Sequence, residues 1–336
     1  MTKPRIMTPT ESYVTLYPQF IKLADTQLED CLWTSTEIKV EKDKQDMLVN
    51  MTEAEHHAVT TGLKLFTRYE MFAGKEYWLN RFIKAFPRPE TERMASVFGM
   101  FELAVHAPFY NKLNEVLGLD TDEFYTSYVD DPVLNSRVEF LDSLVDDPDD
   151  LLSVAVFSMV EGAILFSSFA LFKSFQSNGR NMIASTVTGI DQSVVDEGLH
   201  QTGGAMAFRV AMAEIEEMLP TVFNSYKLRL RNKIYDAAYQ LYEHEARIAE
   251  MLFEKGPIQG INAEQLKIFV KSRIDICLSD LGFEPIFNVP EEDNIIAKWF
   301  YKGVQQYQLI DFFTVMGREY TRGWVEDEFE WKVSND

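Results

Sequence analysis

Residues 151–172 are the most apolar stretch of the chain, and their only charged side chain is Glu161. The run is long enough to cross a bilayer, which takes about 20 apolar residues. Its acidic flank (Asp146-Asp147-Pro148-Asp149-Asp150), its serine-rich interior and the lack of a second such segment argue against a membrane span. A helix that is apolar all round is the fully buried central helix of a bundle. A lone carboxylate there is costly unless it is paired or bound to metal, so the fold must bring Glu161 a partner.

The other long segments are helical too. Thr52 with Glu55 reads as a capping box opening a helix over about 53–84, which stops at Pro87-Arg88-Pro89. A second helix runs from about 90 to 118, with acids in its first turn. Further helices are expected over about 12–27, 134–144, 181–218, 220–255, 262–281 and 291–313, with an acidic, turn-rich loop at 120–132. Only 16 Gly and 12 Pro interrupt these periods, and no alternating strands recur, so the chain reads as all-α with one large core. The net charge of −21 disfavours nucleic acid and anionic membrane surfaces as partners. The basic run at 227–233 reads as a solvated helix face. Cys31 and Cys277 lie far apart, without CxxC spacing, and form neither a disulfide framework nor a zinc site. With an N-terminus lacking a signal-type apolar region, this fits a cytoplasmic protein.

Three more fragments place carboxylates or histidines in apolar helical surroundings: Glu70; Glu102 with His106 and Tyr110; and Glu197 with His200. Steps of three or four residues bring side chains to one helix face. One Glu from each of two helices and a Glu/His pair from each of two others make a dinuclear carboxylate site in a four-helix bundle. Oxygen-rich donors with few imidazoles suit iron or manganese. Glu70, Glu102 and His106, Glu161, and Glu197 and His200 provide that count, in that order.

From Trp33 onward the sequence resembles the small, radical-generating subunit of class I ribonucleotide reductase. Trp33-Thr-Ser-Thr-Glu-Ile with Lys42-Asp43 is similar to the family's Trp-containing opening motif. Val160-Glu161-Gly162 followed by Ser168-Phe169-Ala170 resembles its third metal helix, and Asp196-Glu197-Gly198-Leu199-His200 its fourth. Phe312-Phe313 with Arg318-Glu319-Tyr320 resembles the start of its C-terminal tail. The resemblance implies a ferritin-like helical bundle over 1–317 and a flexible tail over 318–336 that docks on a large catalytic subunit. It also implies a homodimer and two metal ions per chain, iron first and manganese or a mixed pair as the alternatives. The implied ligands are Glu70 (where the family more often has Asp), Glu102, His106, Glu161, Glu197 and His200. Tyr110 takes the place of the radical-bearing tyrosine. Trp33, Asp196 and the tail residue Tyr320 correspond to the radical-transfer chain, and Leu165 and Phe169 to the apolar pocket around the radical. The implied activity is that of a ribonucleoside-diphosphate reductase, working only with its large subunit. An iron-storage protein or a stand-alone dimetal oxidase is the alternative.

One departure stands out. The family spaces its second-helix pair as Glu-x-x-His, whereas here the pair is Glu102-x-x-x-His106, with Leu103 at the usual position. A single extra residue inside a helix can be absorbed as a π turn. Pro108, which cannot donate a helical hydrogen bond, fits an irregularity there. The competing reading is that Leu103 replaces the ligand.

Overall fold

The computed structural model describes residues 3–302, with Val145 described by its backbone alone. Among the described residues the regular structure is helical, and β pairing is limited to an isolated bridge between Ile258 and Ile261. Helix α1 spans Pro18–Glu29. It starts later than expected because Pro18 takes the first helical position, where a missing N–H costs nothing. The strand-like lead-in is fixed to the bundle through the Leu16 and Tyr17 N–H groups, which donate to Glu90 Oε1 (3.0 and 3.2 Å).

Helix α2 (Glu53–Phe72) opens with the expected Thr52/Glu55 capping box. It runs on through a π-helical stretch, Ala73–Phe82, to Ala85. Helix α3 (Pro89–Phe101) passes through a π turn, Glu102–His106, into α4 (Ala107–Leu117). Gly118, at φ 70°, closes that rod in the left-handed conformation that glycine adopts without strain. The expected loop at 120–132 contains short helical turns at Asp122–Thr126 and Ser127–Asp130.

After α5 (Pro132–Asp146), the apolar rod consists of α6 (Asp150–Met159), a π turn at Val160–Ile164 and α7 (Leu165–Ser174). Asp149 caps its start, accepting from the Leu151 and Leu152 N–H groups. This is the one helix among the described residues with the length and apolarity to cross a membrane, and 94% of its most apolar window is buried. It packs against α2 and three further helices: α8 (Ala184–Met218), α9 (Phe223–Leu252) and α10 (Ala263–Asp280). Of the helix expected over 291–313, the described part is a turn followed by Ala297–Phe300. Residues 303–313, Tyr320 and the boundary expected at 317 lie outside the described residues.

Helix α8 begins under constraint. Ile183, fully buried, sits at φ 47° and ψ 43°, a region a β-branched residue seldom adopts. Its N–H donates to Asp46 Oδ2 (2.9 Å). The carboxylate of Asp43 accepts from the Ser185 and Thr186 N–H groups and from the Thr186 hydroxyl. Asp43 of the Lys42-Asp43 motif is therefore the cap of the helix that carries Glu197 and His200.

Candidate metal centre

Glu70 lies on the last turn of α2, Glu102 and His106 at the two ends of the first rod's π turn, and Glu161 inside the second. Glu197 and His200 stand one turn apart in the middle of α8. All six side chains are fully buried. Their donor atoms form two overlapping groups: Glu70, Glu102, His106 and Glu197; and Glu102, Glu161, Glu197 and His200. In each, one donor atom per residue lies within 4.8 Å of all the others. Glu102 and Glu197 belong to both groups. Each group has its own histidine and its own second glutamate, as two ions joined by bridging carboxylates require.

Both imidazoles turn Nδ1 inward. His106 Nδ1 lies 3.1 Å from Glu102 and 3.2 Å from Glu197; His200 Nδ1 lies 2.7 Å from Glu102 and 3.2 Å from Glu197. Their Nε2 atoms face outer partners. His106 Nε2 is 3.0 Å from Asp196 Oδ2, which also accepts from Trp33 Nε1 at 2.8 Å. His200 Nε2 is 3.0 Å from the amide of Gln27. For His106, an Nε2–H donated to the Asp196 carboxylate fixes the tautomer that leaves the Nδ1 lone pair free to bind a metal. Trp33 stacks on His106, with ring centroids 5.9 Å apart.

The π turn decides between Glu102 and Leu103. Glu102 is fully buried, whereas Leu103 is 36% exposed on the outer face of the rod. The widened turn is closed by the Ala107 N–H donating to Glu102 O. It swings the extra residue outward, keeps Glu102 and His106 together, and leaves Pro108 in the first turn of α4, where no donor is needed.

Electrostatics mark the same cluster. Burial, then the Glu102 charge, raises the carboxyl of Glu70 well above its ordinary range. Burial, then Glu197 and Glu102, does the same to Glu161. Burial also acts to raise Glu102, but His200, Glu70 and His106 hold it below the ordinary range. Burial acts to lower His200, yet Glu102 and Glu197 push it up to about 9. Neither oxygen of Glu70 meets a hydrogen-bond donor of good geometry among the described residues, and the Oε1 atoms of Glu102 and Glu197 meet only the histidine Nδ1 atoms, at 2.7 and 3.2 Å and off hydrogen-bond alignment. Buried carboxylate oxygens left in this state are costly, and four carboxylate charges match two divalent cations with both histidines neutral. The donor set fits a dinuclear metal site.

Tyr110, on α4, is fully buried. Its ring stacks on Phe66 at 4.3 Å, Phe66 stacks in turn on Phe169, and its hydroxyl donates to Ser193 Oγ at 3.5 Å. Burial, then the Glu70 charge, raises the phenol well above its usual range. Leu165 lies close by, lining a cavity of about 10 Å³ with Phe66 and Tyr69. The sequence reading missed three contributors: Trp78 Nε1 donates to Glu161 Oε1 (3.0 Å), Tyr69 OH to Glu161 Oε2 (3.3 Å), and Gln27 Nε2 to Asp196 Oδ1 (3.4 Å).

A helical bundle with six carboxylate and imidazole donors on four of its long helical rods belongs to the dimetal-carboxylate proteins. Comparison with known proteins narrows the class. The family model for the ribonucleotide reductase small chain matches residues 14–294, and the chain belongs to that family. The chain is 24% identical to a probable ribonucleoside-diphosphate reductase small subunit of Invertebrate iridescent virus 3 over 94% of its length and 85% of that protein. It is 25% identical to the ribonucleoside-diphosphate reductase subunit beta of Chlamydia pneumoniae over 76% and 75% of the two chains. The dimanganese(II)-NrdF structure of Streptococcus sanguinis superposes with a TM-score of 0.73 at 19% identity, covering 87% of this chain and 99% of that one, and so shares the fold. The chain is thus the radical-generating small subunit of a class I ribonucleotide reductase: a ferritin-like bundle with a dinuclear metal site that works with a large subunit. The iron-storage and stand-alone-oxidase alternatives give way to the family.

Proposed function

We propose that Glu70, Glu102, His106, Glu161, Glu197 and His200 hold the two metal ions, and that Tyr110 is the residue oxidised to the radical. The observation that carries this reading is the pair of overlapping donor groups sharing Glu102 and Glu197, with Tyr110 one turn beyond His106. When bound and activated by an oxygen-derived oxidant, the metal pair supplies a one-electron oxidant for the phenol. The protein does the rest. Burial keeps Tyr110 protonated, so its electron leaves together with the hydroxyl proton. Phe66, stacked on the ring, and Phe169 behind it keep water and reductants away from the radical.

On the opposite side of His106, Asp196 joins the imidazole to the Trp33 indole, which supports Trp33 and Asp196 as the outward radical relay. Tyr320, in the tail beyond the described residues, continues it toward the large subunit. With a metal on Nδ1, His200 Nε2 is a donor. Turning the Gln27 amide over would offer it Oε1, which has no hydrogen-bond partner among the described residues, in exchange for the Gln27 Nε2 bond to Asp196 Oδ1.

The substrates we propose are ribonucleoside diphosphates, as the names of the relatives indicate, and the compartment is the cytoplasm. Leu79 and Leu103 expose apolar surface where the α2 rod and the α3–α4 rod cross, with Leu79 packed on Gly99 and Leu103 on Gly74. This face supports a homodimer. The resident metal we propose is iron; the dimanganese site of the Streptococcus sanguinis structure favours manganese as a second reading.

The test is metal loading of the full-length protein with its oxidant, followed by electron paramagnetic resonance. Wild type is expected to hold two ions per chain and to give a tyrosyl signal. Tyr110→Phe is expected to keep both ions and lose the signal. A signal that survives in Tyr110→Phe refutes the assignment.

A further inference from the structure

Helix α10 grips the metal helices from outside, one residue away from a proposed ligand on each. On the central rod it reaches Gly162, next to Glu161. Arg273 Nε donates to the Gly162 carbonyl at 2.7 Å, and Cys277, one turn on, lies so close that a Cβ on Gly162 would meet its Sγ at 2.5 Å. On α8 it reaches the residue next to His200: the Gln201 side-chain Nε2 donates to Asp280 Oδ2 at 2.8 Å. Both contacts fall on the half of the site made by Glu161 and His200.

Arg273 is tied down at three points. Its guanidinium carbon lies over Phe166, 3.9 Å from the ring centroid, and a second donor, Nη1, reaches the Tyr301 hydroxyl at 2.9 Å. Tyr301 is the penultimate described residue, and the C-terminal segment follows it. A guanidinium is a rigid planar fork, so the donor to Gly162 and the donor to Tyr301 cannot move independently. The Gly162 carbonyl lies inside a π turn, where the backbone is wider than in an α-helix and a fixed donor decides how it sits.

We propose that Arg273 is a positioning residue for the Glu161–His200 half of the metal site, and that it transmits the placement of the chain at Tyr301 to the turn carrying Glu161. The inference rests on the proposed ligand assignment.

The test uses full-length apoprotein titrated anaerobically with Mn(II), free ion being read by electron paramagnetic resonance and thermal unfolding followed on the same samples. Arg273→Gln is expected to bind one ion as wild type does and the second about 10–100-fold more weakly, the usual cost of losing a group that orients a ligand. Arg273→Lys, which keeps a donor for the carbonyl, is expected to recover most of that loss, and Tyr301→Phe to show a smaller weakening of the second ion alone. Arg273→Gln binding both ions like wild type, weakening both equally, or being no worse than Arg273→Lys would overturn the positioning role. Tyr301→Phe indistinguishable from wild type would overturn the link from Tyr301 to the metal site. Should Arg273→Gln not fold, the other two variants decide. Glu161→Ala separates the levels: if it keeps both ions, the ligand assignment fails; if it loses one while the Arg273 variants lose none, the positioning role fails.

Discussion

Deleting Leu103 should convert the π turn over Glu102–His106 into ordinary α-helix without moving either flank. A π turn is one extra residue absorbed in place, so its removal restores the i→i+4 ladder and keeps the register of α3 and α4. Glu102 and the imidazole then stand three residues apart and still share a face. The energetic terms nearly cancel. Leu103 is about two-thirds buried, so removing it loses about 1–2 kcal/mol of the 1.5–3 kcal/mol that full burial of a leucine contributes. One residue fewer to order returns about 1–2 kcal/mol of backbone entropy. Stability by urea denaturation should therefore fall within about 1 kcal/mol of wild type, with two ions per chain by elemental analysis. The control is deletion of Ser96, an exposed residue in the regular part of α3. There one residue is worth about 100° of rotation, which turns the buried Thr91, Met94 and Ala95 away from the core and should leave no folded protein. A Leu103 deletion that folds but loses its metals, or a Ser96 deletion that is equally well tolerated, would show that the turn is not an absorbed insertion.

Two further substitutions test electrostatic statements. Burial raises the Asp280 carboxyl from 3.8 to about 6, against the opposing Gln201 hydrogen bond and the Arg273 and Arg209 charges. The folded state therefore holds the Asp280 proton more tightly than the unfolded state does. Ionised Asp280 destabilises the fold above about pH 6, and the effect vanishes as pH falls to the unfolded value. Asp280→Asn should thus stabilise the protein at pH 8 by at most about 3 kcal/mol, at 1.4 kcal/mol per unit; the advantage should close between pH 6 and 4 in denaturation curves, and a pH-independent gain would refute it. Asp43→Ala strips the N-terminus of α8 of its acceptor and should cost about 2–4 kcal/mol, since the buried Thr186 N–H and the half-buried Ser185 N–H lose their partner. Asp43→Asn, which still accepts through its amide oxygen, should cost clearly less on the same assay.

The carboxylates of the candidate metal site were legible in the sequence because a carboxylate inside an apolar helix is a local contradiction. Glu161 in residues 151–172 is the plainest case, and Glu70, Glu102 and Glu197 follow the same rule. The single extra residue before His106 was legible as a π turn because it broke a known spacing. The π turns at Ala73–Phe82 and Val160–Ile164 break none, and were missed. Each contains a glycine well inside a rod, where glycine costs about 1 kcal/mol relative to alanine. A Cβ on Gly74 would meet Leu103 Cγ at 2.6 Å, and one on Gly162 would meet Cys277 Sγ at 2.5 Å. Those interior glycines were the available signal. Trp78, Tyr69 and Gln27 carry no such mark, because a core aromatic or a helix-face amide has the same periodicity whether or not it touches Glu161 or His200. Their roles exist only once distant segments meet.

The arrangement also explains how a chain can fold around four buried carboxylates before any ion is bound. Without metal, Glu70 and Glu161 favour the protonated form and both histidines the charged form, because burial and mutual repulsion act on the glutamates and attraction on the imidazoles. The cluster thus carries its counter-ions as protons. Trp78 and Tyr69 occupy both oxygens of Glu161, while Asp196 fixes the His106 imidazole with Nδ1 inward. Binding two divalent ions then exchanges protons for metal with little movement of the side chains. That exchange is linked to folding: ions that bind only the native state stabilise it by RT ln(1 + [L]/Kd). Because protons compete for the same oxygens and nitrogens, metal affinity, and the stability that comes with it, should rise with pH until His200 has lost its proton near 9.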